Sequence, residues 1–243
     1  MIYALISDIH GNLEALQTVL ECIKSYKKKI DKIICLGDIV GYGADPNECI
    51  RITRAVSDII LAGNHDFAVC GQTSIENFND YARAAVLWSR ETLNHEEIHF
   101  LKELPLTYRE KGIDFVHSSL HRPESWRYLS GTFDTQIDFQ LMEQNVLFVG
   151  HTHIPVIFEN AETKINRLND SEFSLEPAKK YIINPGSIGQ PRDRDPRASF
   201  AFFDSEKNFV EIIRVEYDIK EAQRKIFEAG LPEVLATRLS YGG

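Results

Sequence analysis

Apolar residues fall in short runs that alternate with amphipathic stretches. Residues 2–6 form an apolar run long enough for one buried strand. Leu13, Leu16, Val19, Leu20 and Ile23 then recur at helical spacing and predict a helix over 12–27. Apolar strands are expected at 32–36 and 58–62, with a short helix between them at 46–53 that has Pro46 near its start. Strand, helix, strand, helix, strand is the order of a parallel sheet covered by helices.

The pattern becomes helical over 75–104, where Tyr81, Ala85, Trp88 and Thr92 mark one face. Strands are predicted at 107–109 and 113–116 around Lys111-Gly112, a helix at 133–142 and a strand at 146–149. Strands then dominate, at 156–159, 164–168, 181–183, 198–204 and 209–215. Two helices follow within 216–243, at 219–229 and 232–239, separated by Gly230. Their apolar faces could pack on the core or meet a second copy, so a homo-oligomer stays open. No repeat, low-complexity tract or long linker divides the chain. The expected fold is one α/β domain over 1–243, with 75–104 as a helical insert and two sheets packed face to face under outer helices.

Composition adds exclusions. A net charge of −9 argues against an extended nucleic-acid surface, although bound metal ions could reverse the charge locally around a phosphorylated substrate. Cys22, Cys35, Cys49 and Cys70 include no C-x-x-C pair and read as reduced, mostly buried thiols. No apolar stretch approaches membrane-spanning length, and no signal-peptide pattern opens the chain. A cytoplasmic location without membrane partners is the expectation.

The chemistry gathers where apolar strands stop. Asp8 and His10 follow the first strand, Asp38 the second and Asn64-His65 the third; His117 follows a fourth, and His151 and His153 a fifth. In an extended chain, residues two apart share a side, so Asp8 and His10 could grip one ion. The carboxyl ends of strands are also where open α/β sheets place their sites. Five of the eight histidines fall in this pattern; His95, His99 and His121 do not.

This ordered set, Asp8-x-His10, Gly37-Asp38, Gly63-Asn64-His65-Asp66, His117 and Gly150-His151-x-His153, resembles the calcineurin-like metallophosphoesterase superfamily. Asn184-Pro185-Gly186-Ser187 and Gln190-Pro191-Arg192-Asp193 resemble its bacterial and archaeal small phosphodiesterase-like branch. The resemblance implies a four-layer α-β-β-α sandwich of two mixed sheets. It implies one metal at Asp8, His10, Asp38 and His153, and a second at Asp38, Asn64, His117 and His151, with Asp38 bridging. Ligands of this kind suit Mn foremost, or Fe, Zn, Ni or Co. Two such ions about 3.5–4 Å apart would share a hydroxide that attacks phosphorus in line.

By the same resemblance His65 is the catalytic residue, donating to a phosphoryl oxygen or to the leaving alkoxide. Asp66 is expected to cap the next helix, and Asn12 to cap or to face the site. Of the loop arginines, Arg192 and Arg122 are the substrate-binding candidates, because a guanidinium holds phosphate bidentately. In the related Ser/Thr protein phosphatases the bridging Asp is followed by an acid and an arginine, where this chain has Gly41 and Tyr42. The expected substrate is therefore a small, nucleotide-like phosphodiester or phosphomonoester. Alternatives are a dinucleoside polyphosphate hydrolase, a protein phosphatase or a non-catalytic scaffold on the same fold.

Overall fold

The computed structural model describes residues 1–161 and 164–243. In chain order the elements begin with β1 (Ile2–Ile6), α1 (Leu13–Lys24), β2 (Lys32–Cys35), α2 (Pro46–Val56), β3 (Ile59–Ile60), α3 (Asn64–Val69), α4 (Asp80–Thr92) and α5 (His95–Lys102). They continue with β4 (Thr107–Glu110), β5 (Ile113–Val116), α6 (Gln136–Leu141), β6 (Val146–Phe148), β7 (Val156–Ala161), β8 (Lys164–Leu168), β9 (Glu172–Ser174) and β10 (Lys180–Asn184). The chain closes with β11 (Ala198–Asp204), β12 (Phe209–Val215), α7 (Ile219–Glu228) and α8 (Glu233–Thr237).

Two mixed six-stranded sheets result, ordered β3-β2-β1-β11-β12-β9 and β4-β5-β6-β10-β7-β8. β1, β2 and β3 run parallel, as do β5, β6 and β10. The two-residue side-chain period sorts each strand between two cores. Tyr3, Leu5, Ile34, Leu36 and Phe203 of the first sheet meet Phe115, Phe148, Ile157, Tyr181 and Ile183 of the second. The intervening Ala4, Ile6, Cys35, Phe200 and Phe202 face outward onto Leu16, Val19 and Ile23 of α1. Strands buried on both faces read as unbroken apolar runs, which is how the sequence shows them. Each fully buried Leu, Ile or Phe contributes about 1.5–3 kcal/mol.

The predicted two-sheet sandwich is thus observed. Three local expectations are corrected. β3 is only two residues long, because the chain turns away early into the loop that precedes Asn64. β9 was not anticipated; Glu172 and Ser174 are exposed on a short edge strand that buries little. The 75–104 stretch divides into α4 and α5, capped by the side chains of Asn79 and Asn94. Val86 and Leu101 from these helices join the core outside the first sheet.

The C-terminal helices pack on the body. Ala222, Ile226, Leu235 and Leu239 are buried against Ala82 and Ala85 of α4. All four cysteines are free, and three of them are buried. Among the described residues no helix is long and apolar enough to cross a membrane.

Candidate metal centre

The carboxyl ends of β1, β2, β5, β6 and β10 meet along one seam between the sheets. His117, just past β5, donates its Nδ1–H to the carbonyl of Leu36 at 2.9 Å and so stitches the sheets together there. Gly150, just past β6, packs so tightly on β1 that a Cβ would stand 2.1 Å from Ser7 Oγ.

Extended geometry is not what aligns Asp8 with His10. The strand ends at Ile6, and both residues take left-handed backbone angles, with φ of 53° and 51°. Asp38, His151 and His153 do the same, at 55°, 65° and 61°. Each such residue costs about 1–2 kcal/mol, and strain of this kind concentrates at functional sites. The surrounding turns hold it. Asp8, His10 and Gly11 donate their backbone N–H groups to the carbonyls of Gly37, Asp38 and Ile39 at 2.9–3.0 Å. Ser187 donates to the Asp8 carbonyl at 2.8 Å, and the Asn184 side chain donates to the Gly150 carbonyl at 2.6 Å. The Asn-Pro-Gly-Ser turn therefore clamps two ligand loops at once.

Asp66 does more than cap α3. Its carboxylate accepts backbone N–H bonds from Asp38, Ile39, Val40 and Gly63 at 2.8–3.2 Å, fixing the turn that presents Asp38. Asn12 caps α1 through Ala15 N and donates to the Gly189 carbonyl at 3.0 Å.

The side chains converge into two groups that share Asp38. Asp8, His10, Asp38 and His153 lie within 4.8 Å of one another by one ligand atom each, as do Asp38, His117 and His151. His10 and His153 donate their Nδ1–H groups to the carbonyls of Val40 and Gln190 at 3.1 and 2.6 Å. Their Nε2 lone pairs, like that of His117, therefore point inward. His151 is turned the other way: its Nε2 donates to the Trp126 carbonyl at 2.9 Å, leaving Nδ1 free.

Among the expected ligands, three buried atoms have no hydrogen-bond partner among the described residues: Asp38 Oδ2, Asn64 Oδ1 and His117 Nε2. An acceptor cluster of this kind fits a cation and little else. The donor set contains oxygen and imidazole nitrogen without thiolate, as a hard or borderline divalent ion requires.

The charges of the cluster act strongly on one another, and His117 carries the proton whose place a cation would take. Burial works against ionisation of Asp8 and Asp38, yet the imidazoles of His153 and His117 hold both carboxyls below their usual range. Burial pushes the His151 pKa down to about 3 and that of His65 to about 4. For His117 burial is outweighed by Asp38, which holds it up at about 9.

His65 sits beside the ligands on the first turn of α3. Its ring lies 4.9 Å from His10, 4.4 Å from Tyr42 and 5.1 Å from Phe78, and its Nδ1 has no partner among the described residues. Phe78 is the point at which the 75–104 segment reaches the site.

Arg192 lies over the Tyr42 ring at 5.6 Å and donates to Tyr42 Oη and Gln190 Oε1 at 3.2 and 2.8 Å. Arg122 is exposed on the loop between His117 and Trp126, and its guanidinium makes no hydrogen bond among the described residues. Tyr42, Gln190, Trp126 and Tyr128, which stacks on His151 at 4.0 Å, did not stand out in the sequence as site residues. Only the Gln-Pro-Arg run beside the Asn-Pro-Gly-Ser turn offered a signal for any of them.

A family model for the calcineurin-like phosphoesterase superfamily domain matches residues 1–208. An uncharacterized protein of Methanocaldococcus jannaschii is 46% identical over 243 residues, covering 98% of this chain and 97% of its own. The crystal structure of a metallophosphoesterase from Sphaerobacter thermophilus superposes with a TM-score of 0.88 at 39% identity, covering 100% of this chain and 99% of the other. The phosphodiesterase YfcE of Escherichia coli is 23% identical over 207 residues, covering 82% of this chain and 85% of its own.

Proposed function

The chain belongs to the calcineurin-like phosphoesterase superfamily and is a phosphoric ester hydrolase, and from that premise we propose how its residues divide the work. Asp8, His10, Asp38 and His153 hold one divalent transition-metal ion, and Asp38, Asn64, His117 and His151 hold the second, with Mn²⁺ the first choice. When bound, such a pair supplies Lewis-acid stabilisation of phosphoryl charge and brings the pKa of water to about 7.

The remaining roles fall to the protein. Asp38 bridges, held by the Asp66 clamp on its backbone. His65 donates to a phosphoryl oxygen or to the leaving oxygen, with Tyr42 and Phe78 fixing its ring by packing. Arg192 grips the phosphate: its present partners, a phenol and an amide, are neutral and leave its charge uncompensated. The protein phosphatase branch carries its arginine where this chain has Tyr42. Here Arg192 comes from the opposite loop and lies against that tyrosine, so the guanidinium is relocated rather than lost. Arg122 would serve the outer part of the substrate.

The substrate is a small nucleotide-like phosphodiester or phosphomonoester. The name of the Escherichia coli relative favours the diester. The observation that carries the proposal is the cluster of three orphaned acceptors on Asp38, Asn64 and His117. Metal analysis after Mn²⁺ loading, with chromogenic diester and monoester assays, tests it. Two ions per chain and faster diester hydrolysis are expected; a protein that takes up no metal from excess Mn²⁺ would overturn it.

A further inference from the structure

The loop that follows His117 leaves the end of β5 and returns to His151. Asp138, buried on α6, braces both of its limbs. The Asp138 carboxylate accepts from Ser119 Oγ at 2.8 Å and from the Leu120 N–H at 2.6 Å on the way out. On the way back it lies 3.8 Å from Arg127. Next to Arg127, half-buried Trp126 takes a left-handed backbone, with φ of 53°. That conformation is rare for so bulky a residue, and such strain persists only where the surroundings over-determine it.

The surroundings of Trp126 are candidate ligands and their supports. Its carbonyl accepts the His151 Nε2–H at 2.9 Å. Its ring stands edge-on to the His117 imidazole, with centroids 6.0 Å apart, and to the Phe67 ring at 5.8 Å. Its indole N–H donates to Thr73 Oγ1 at 3.0 Å, and the Thr73 N–H donates to the Phe67 carbonyl at 3.1 Å. Phe67 lies on α3, the short helix that opens at Asn64. One residue therefore meets His151, His117 and the helix of Asn64, the ligands assigned to the second ion alone. Among the described residues its hydrogen bonds and ring contacts reach none of Asp8, His10 and His153. Those three rest instead on the carbonyls of Gly37, Val40 and Gln190.

We propose that Trp126 is the positioning residue of the second metal site, its indole pinning the loop so that its carbonyl holds His151 with Nδ1 left free as the ligand atom. The inference rests on the two-metal reading of the centre and deepens it. A ligand imidazole whose other nitrogen is bonded to a carbonyl has its tautomer and ring direction fixed before an ion arrives. His10, His117 and His153 obtain that bond from Val40, Leu36 and Gln190, on turns of the two sheets. His151 obtains it from a loop at the surface, and Tyr128 of the same loop stacks on its face at 4.0 Å. The second ion is thus the one whose site depends on where this loop lies, and the Trp126–Thr73 hydrogen bond ties the loop down.

The test titrates metal-free protein with Mn²⁺, following the heat of binding and the electron paramagnetic resonance of the bound ions. Wild type should take up two ions and give the signal of a spin-coupled pair. Trp126→Ala should weaken the second ion by about 10- to 100-fold, the usual effect of losing a group that supports a metal ligand, and leave the first near wild type. Its single-ion spectrum should match that of His117→Ala, which keeps only the first site, and differ from that of His10→Ala. Trp126→Phe keeps a ring and loses the N–H, and Thr73→Val removes only the acceptor. Each should weaken the second ion by part of that factor, and they carry the comparison if Trp126→Ala does not fold. Variants that bind both ions like wild type, or that lose both affinities together, overturn the inference alone. Wild type that takes up no ion from excess Mn²⁺ overturns the metal-site proposal and the inference with it, so the two failures are distinguishable.

Discussion

His10 and His153, 143 residues apart, bring their Nε2 atoms to 3.0 Å of one another in the interior. Both rings have already given their Nδ1 protons to backbone carbonyls. Two imidazole lone pairs therefore face each other, with Asp8 Oδ1 3.2 Å from His153 Nε2 and Asp38 Oδ2 3.6 Å from His10 Nε2. The contact is repulsive unless something positive occupies the space between the donors. A proton could bridge one pair of atoms, but a cation satisfies all four groups together.

Metal should accordingly stabilise the fold as well as activate it. A ligand held at a hundred times its dissociation constant adds about 2.7 kcal/mol to folding. For a chain of this size that raises the melting temperature by roughly 5–10 °C. Differential scanning calorimetry with Mn²⁺ and with EDTA reads the difference. Coincident transitions would contradict the proposed centre.

The His65 ring lies beside the ligands, with Nδ1 free of any partner among the described residues. His65→Asn should lower kcat by about 10²- to 10⁴-fold, the usual range for a group that handles a proton in the transition state. Metal content should stay at the wild-type value, because the proposed ligands are untouched. Parallel loss of metal and activity would instead mark His65 as structural.

Asp66 separates a helix cap from a clamp. A cap alone is worth about 1 kcal/mol. A carboxylate that satisfies four backbone N–H groups is worth more, because removing it strands buried donors at about 1–3 kcal/mol each. Asp66→Asn replaces one oxygen by an NH₂ group that would face two of those donors. It should therefore destabilise by about 3 kcal/mol or more, as much as Asp66→Ala. Urea denaturation of both variants measures it, and a loss near 1 kcal/mol for either would reduce Asp66 to a cap.

Much of this site was legible because strand ends are legible. Apolar runs such as residues 2–6 stop where buried polar residues start, and the residue types there are metal-ligand types. The backbone was not legible in the same way. Residue spacing suggested that Asp8 and His10 share a side of an extended chain, whereas both are left-handed and are held by carbonyls of the 37–39 turn. Those partners come from another strand, so no local pattern announces them. Tyr42 escaped for the same reason: its ring meets His10, His65 and Arg192 from elsewhere in the chain. β9 escaped because an exposed edge strand has almost no apolar face to reveal it.

Gly63 tests whether the packing around Asp38 matters by itself. Its backbone is ordinary, with φ of −99°, so alanine there meets no conformational penalty. A Cβ, however, would stand 2.0 Å from Asp38 Oδ1 and 2.4 Å from the Asp38 backbone nitrogen. Gly71 offers the converse: φ is +83°, and nothing lies within 4 Å of the added carbon. Gly71→Ala should cost about 1–2 kcal/mol of stability from strain alone and leave metal stoichiometry and kcat near wild type. Gly63→Ala must push the bridging carboxylate aside. It should lose metal affinity and most activity in the same titration, whatever it does to stability. Metal titration followed by initial rates on a chromogenic diester compares the two. Equal behaviour of the two variants would show that the position of Asp38 tolerates movement, and would remove the reason for a glycine before Asn64.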